Sequence, residues 1–129
     1  MSITPYRDAA AATVAATRQH FAEQGPADSS VLIARRMDVD VTEAAMLGYA
    51  DLRDLAVPQA RSVSIVARVM ASAIASLAAT VCGGRQDASR LLLDVLLGEI
   101  RHHALDRIAR VEHEAFSASV SPSQPRGRA

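Results

Sequence analysis

Glu99, His102, Asp106 and His113 are the residues whose types and spacing come closest to a chemical site. On a helix turning about 100° per residue they project within one angular sector, where imidazole nitrogens and carboxylate oxygens would meet ligands from another helix. Glu99 and His102 also have the Glu-x-x-His spacing with which some helical bundles hold a transition metal. A ferritin-like pair of metals needs a second such pair and further glutamates, and the chain has no second Glu-x-x-His. The same wheel sets this sector opposite an apolar stripe centred on Ile100 and Ile108, where its ordinary role is to face water. A metal reading therefore requires a partner surface to cover the sector, for example across a dimer axis.

Tyr49, Asp51, Arg53 and Asp54 form a second, denser polar patch. Arg53 can pair with a carboxylate or an anionic ligand, and the spacing suits salt bridges along a helix surface equally well. His103 lies nearer the apolar edge than His102 and is expected to hydrogen-bond at an interface, and the clustered imidazoles would make such an interface sensitive to pH. Cys82 is the single cysteine, so it has no intrachain disulfide partner, and no histidine lies nearby in sequence to act as its base. Met37, Met46 and Met70 read as fillers of irregular core space. With no phosphate-binding glycine loop, serine-nucleophile motif or paired zinc-cysteine pattern, no residue is assigned a catalytic role.

Helices must position all of these groups. Thr4-Pro5 is a competent start, with the threonine oxygen available as a cap and proline at the first helical position, and Gly25-Pro26 is a clear stop. Asp28 or Ser29 is expected to cap a short connecting helix through Met37. Asp40 and Glu43 give a capping-box-like start to the next helix, which Pro58 bounds. From Gln59 to Cys82 only Arg61 and Arg68 are charged, and Gly83-Gly84 ends the segment. Its length raises a transmembrane alternative. Arg68 and the many alanines and serines make it a poor lipid-facing segment, so a central helix packed closely by its neighbours is expected instead. The last helix is predicted from about Asp87 to Phe116 or Ala118, with a stripe of Leu93, Leu97, Ile100, Ala104, Ile108, Val111 and Ala115. The Gly-Gly connection is expected to turn the two longest helices back beside each other.

The predicted fold is all-α: a small antiparallel bundle of four main helices with a short connecting helix. It occupies residues 1–118 as one domain and leaves 119–129 as a disordered tail. Of 129 residues, 26 are alanine and 3% are aromatic, so apolar area must be buried by close helix approach rather than by bulky side chains. Fourteen arginines balance fourteen acidic residues, which removes any global electrostatic case for nucleic acid or an anionic membrane. The N-terminus shows no basic region followed by an apolar run, and a cytoplasmic location is the expectation.

These features favour a non-enzymatic interaction or assembly protein that forms a homodimer and recognises a protein partner through its polar helix faces. Tyr49, Arg53, Val66, Met70, Ala73, Leu77 and His103 are the candidate interaction residues. The alternative is a bundle binding a transition metal through Glu99, His102, Asp106 and His113. A helix-turn-helix DNA-binding reading, with Gly48 interrupting Thr42–Leu55, ranks lower, because Asp51 and Asp54 oppose phosphate contact.

Overall fold

The computed structural model describes the backbone of residues 2–120 and the side chains of residues 2–113. The protein is all-α, with helices α1 (Pro5–Glu23), α2 (Ser29–Asp54), α3 (Gln59–Val81) and α4 (Gln86–Val120), and no strand occurs among the described residues. The chain divides into two compact units, Met1–Ala71 and Ser72–Ala129.

In the first unit α1 and α2 pack antiparallel. Arg7 near the start of α1 pairs with Asp51 near the end of α2, and Arg18 further along α1 pairs with Glu43 further back on α2. The side chains buried between them are small: Ala10 and Val14 from α1, Val39 and Ala50 from α2. Gln24, in extended conformation, ends α1 as Gly25-Pro26 predicts, and the Asp28 carboxylate caps α2 by accepting the Val31 amide at 3.0 Å.

Two sequence expectations are corrected here. The predicted short helix through Met37 and the helix beginning at Asp40 are one continuous α2. No glycine or proline separates them, Thr42 donates to Asp38 one turn back, and Glu43 turns outward to Arg18 instead of closing a capping box. Gly48 likewise lies inside α2, so the break that a helix-turn-helix would need there is absent. A helical glycine costs about 1 kcal/mol relative to alanine, too little to interrupt an otherwise regular helix.

α2 ends in a Schellman motif. The Ala56 amide donates to Arg53 O at 2.9 Å and the Val57 amide to Leu52 O at 3.0 Å, with Ala56 at φ 65°. Ser62, the one fully buried polar residue among those described, donates its hydroxyl to Val57 O at 3.3 Å and ties the first turn of α3 to this corner.

α3 closes with the same motif at Gly83 and Gly84, whose φ values of 62° and 80° suit glycine. Within the second unit, the part of α3 beyond Ala71 and α4 are not paired side by side at close backbone distance. That corrects the expected return of the two helices, and the reason lies in the side chains available. Ala73, Ala75, Ala78 and Ala79 offer one carbon each, and only Ala78 is buried. Leu92, Leu93 and Leu96 are half-buried, whereas every described side chain of α4 from Leu97 to His113 is exposed. α4 continues past the predicted end at Ala118 to Val120, two residues before Pro122. The rest of the expected tail, residues 121–129, and the Ala115 side chain lie outside the described residues.

α3 is long and apolar enough to cross a membrane by length and composition, with a mean hydropathy of 1.7, and 6% of its most apolar stretch is buried.

Candidate functional site

The C-terminal half of α2 and the N-terminal half of α3 enclose an open apolar groove of about 370 Å³, within the range of small-molecule sites. Its α2 wall carries Ala44, Ala45 and Gly48, then Leu52 and Leu55, and its α3 wall carries Ile65, Val66, Val69 and Met70. The three small residues leave space where larger ones would fill it: a Cβ added at Gly48 meets nothing within 4 Å. A smaller hollow of about 260 Å³ brings Tyr49 against Val63, Val66 and Ala67.

Asp51 is the one charged residue lining the groove, and it is already engaged. Arg7 Nη1 donates to both of its carboxylate oxygens at 2.7 Å, and this bond pushes the guanidinium above its usual value. Its neighbour Asp54 accepts the Tyr6 amide at 3.0 Å and the Arg7 amide at 2.9 Å, one on each oxygen. These are orphan amides of the first turn of α1, and Thr4, expected to cap that turn with its side chain, makes no such bond. A carboxylate from the end of α2 thus caps the start of α1. Thr4 instead donates its hydroxyl to Asp8 at 3.2 Å.

Arg53 turns the same way. It donates to Val57 O at 3.0 Å and to the Tyr6 hydroxyl at 3.3 Å, with its guanidinium carbon 5.2 Å from the centre of the Tyr6 ring. The Tyr6 bond raises Arg53 above its ordinary value. The polar patch foreseen on α2 is therefore a latch for α1, and its charges are spent on intramolecular partners.

Of the candidate interaction residues, the structure brings Tyr49 beside Val66, and Val66 beside Met70, with Arg53 one turn beyond Tyr49 on α2. Ala73 and Leu77 are exposed further along α3, and His103 stands exposed on α4 with Nε2 3.3 Å from Glu99. The metal candidates remain on the exposed face of α4. Glu99 is paired with His103 and Asp106 with Arg110 at 3.1 Å, and no group of three His, Cys, Asp or Glu side chains placed to hold an ion occurs among the described residues. Cys82 is free and half-exposed.

Tyr6 and Arg7 are the functional partners that the sequence did not mark, since they meet residues about 47 positions away. The available signal was the opposition of charge between the first turn of one helix and the last turn of the next. The groove floor had a signal as well, in small residues at 44, 45 and 48 followed by leucines at 52 and 55.

No protein-family model, curated protein or solved structure matches the chain. The reading of function rests on the geometry. The groove offers apolar walls, and Asp51, its one charged lining residue, is paired with Arg7.

Proposed function

We propose that this chain is a non-enzymatic assembly module that works as a homodimer, completing its helical bundle with helices from a second copy. The observation that carries this reading is the distribution of apolar side chains. The hydrophobic residues buried among those described are three alanines and two valines. Large side chains on α2, α3 and α4 stay open instead: Met37 is 57% exposed, Val69 65%, Leu77 54% and Ile108 54%. Large apolar side chains left open on a helix are area that association can bury. Fully burying a leucine, isoleucine or valine is worth about 1.5–3 kcal/mol, so each half-exposed one retains roughly 1 kcal/mol to be gained on association.

The polar latch supports the same reading. It fixes α1 on α2 with ion pairs and a cap, and leaves the groove side of α2 uncovered beside α3. Sedimentation equilibrium across the micromolar range tests the proposal. A mass of twice 13.7 kDa is expected, and a monomeric mass throughout overturns it.

A further inference from the structure

Within the first unit α1 and α2 run side by side at close backbone distance, whereas the backbones of α2 and α3 come together only at the turn that joins them. The two helices diverge from that turn as the arms of a wedge, with the apolar groove between them. The turn itself, Leu55–Pro58, is built on an alanine at φ 65°, a conformation that an L-residue rarely adopts unless its surroundings hold it there.

The arms are tied through a single carbonyl. Val57 O accepts no backbone amide; it accepts Arg53 Nη1 from α2 at 3.0 Å and the Ser62 hydroxyl from α3 at 3.3 Å. Ser62 is fully buried and Arg53 half-buried, so water does not readily replace either bond. Arg53 also reaches in the other direction. Nη2 donates to the Tyr6 hydroxyl at 3.3 Å, and the guanidinium carbon lies 5.2 Å from the centre of the Tyr6 ring. Tyr6 belongs to α1, and Asp54 holds its amide at 3.0 Å, so the ring is in place only while the first turn of α1 is docked. A guanidinium is planar and rigid, so Nη1 and Nη2 move together and a contact that fixes one aims the other.

We infer that Arg53 is a positioning residue that couples the docking of α1 to the angle between α2 and α3. With Tyr6 seated, Nη1 is aimed at Val57 O and the corner is held from both arms. When Tyr6 leaves, the guanidinium regains its rotamers, Val57 O keeps only the Ser62 hydroxyl, and the groove widens more readily. The coupling is reciprocal, since a corner held open also weakens the hold of Arg53 on Tyr6. Lysine does not provide this link, because its ammonium is a point charge on a flexible stem with no second nitrogen at a fixed angle. An arginine that touched Tyr6 alone would fasten α1 and stop there; the bond to Val57 O is what carries the effect to the corner. The link lies within one copy and holds whether or not the chain pairs.

Hydrogen exchange and spin-label distances on the full chain test it. Tyr6→Phe keeps the ring and removes the oxygen that Nη2 reaches. The Ala56 and Val57 amides, which close the corner on Arg53 O and Leu52 O, are expected to exchange faster by about two- to tenfold, the net worth of one hydrogen bond. In an Arg53→Lys background, where the link is already cut, Tyr6→Phe is expected to leave those amides unchanged. Arg18→Gln loosens α1 from Glu43 without touching Tyr6, and is expected to speed the amides of α1 while sparing Ala56 and Val57. Spin labels at the exposed positions Asp40→Cys and Arg68→Cys, in a Cys82→Ser chain diluted with unlabelled protein, report the angle between the arms. Tyr6→Phe is expected to broaden their distance distribution. Unchanged Ala56 and Val57 amides, an equal effect in the Arg53→Lys background, or an unbroadened distribution each overturns the coupling. A corner that loosens as much with Arg18→Gln as with Tyr6→Phe also overturns it, because the corner would then follow α1 as a whole and not Arg53.

Discussion

Asp54 sits where a helix least favours a carboxylate. The last turn of α2 carries the negative end of the helix dipole, and an acid there costs a few tenths of a kcal/mol. Its position is explained by α1, whose Tyr6 and Arg7 amides it accepts at 3.0 and 2.9 Å. Asp54→Ala should therefore act with opposite signs on the two helices. α1 loses a cap worth about 1 kcal/mol and the favourable charge at its N-terminus, worth about 0.3–1 kcal/mol, while α2 gains slightly in propensity and dipole. The first turn is open to solvent, so water takes over the freed amides and no buried-donor penalty is added. A net loss of about 1–2 kcal/mol raises the undocked population of α1 roughly 5- to 30-fold. Hydrogen exchange resolves this where a global melting temperature would not. Amides of α1 between Ala10 and Phe21 should exchange faster by that factor, those of α3 should be unchanged, and Asp54→Asn, which keeps one acceptor oxygen, should fall between. Exchange in α1 within twofold of wild type would show that the cap does not hold α1 in place.

Three further outcomes follow from the backbone and its caps. Ala56 occupies the left-handed region at φ 65°, so Ala56→Gly should raise stability by about 1 kcal/mol and the thermal midpoint by a few degrees, and an unchanged midpoint would count against that conformation. Gly48→Ala should add about 0.5–1 kcal/mol in chemical denaturation, because the new methyl enters open space, whereas a loss would reveal a surface seated on the groove floor. The Asp28 carboxylate is held below the usual range by the Ser30 hydroxyl and then the Val31 amide. A depressed value contributes stability that is present above the ordinary aspartate pKa of about 3.9 and disappears as pH falls through the folded value. Protection of the Val31 amide should therefore fall on strong acidification, and Asp28→Asn should abolish that dependence.

Helix boundaries were legible because their causes are local. Gly25-Pro26, Pro58 and Gly83-Gly84 restrict or release the backbone wherever they stand, and the observed ends fall beside them. The continuity of α2 was harder to read, since Asp40 and Glu43 have the spacing of a cap and only the tertiary partner Arg18 shows what Glu43 is for. On α4 the sequence grouped Glu99 with His102 by face, and the structure joins it to His103 one full turn on, the pairing that helical geometry favours. The patch at Asp51, Arg53 and Asp54 was visible and its target was not. An antiparallel hairpin converts the distance between Arg7 and Asp51 into a contact, and nothing in either segment announces the other.

The two kinds of interaction are distributed unevenly along the chain. The contact between α1 and α2 is nearly all polar tie and small side chain: an Asp54 cap, two arginine–carboxylate pairs, and a core of Ala10, Val14, Val39 and Ala50. Exposed ion pairs contribute little, and alanines bury little area, so this hairpin is specified more by direction than by strength. Larger apolar side chains stay open on α2, α3 and α4 alike, among them Leu32, Met37, Leu77 and Ile108. Hydrophobic burial is the dominant favourable contribution to folding and to most association, so a chain that leaves it on open faces gains most of its remaining stability only when those faces are covered. Under the homodimer reading the division has a physical purpose. A polar latch insensitive to apolar competitors sets which side of α2 stays open, and the apolar side chains of α3 beside it are left to be covered by a second copy.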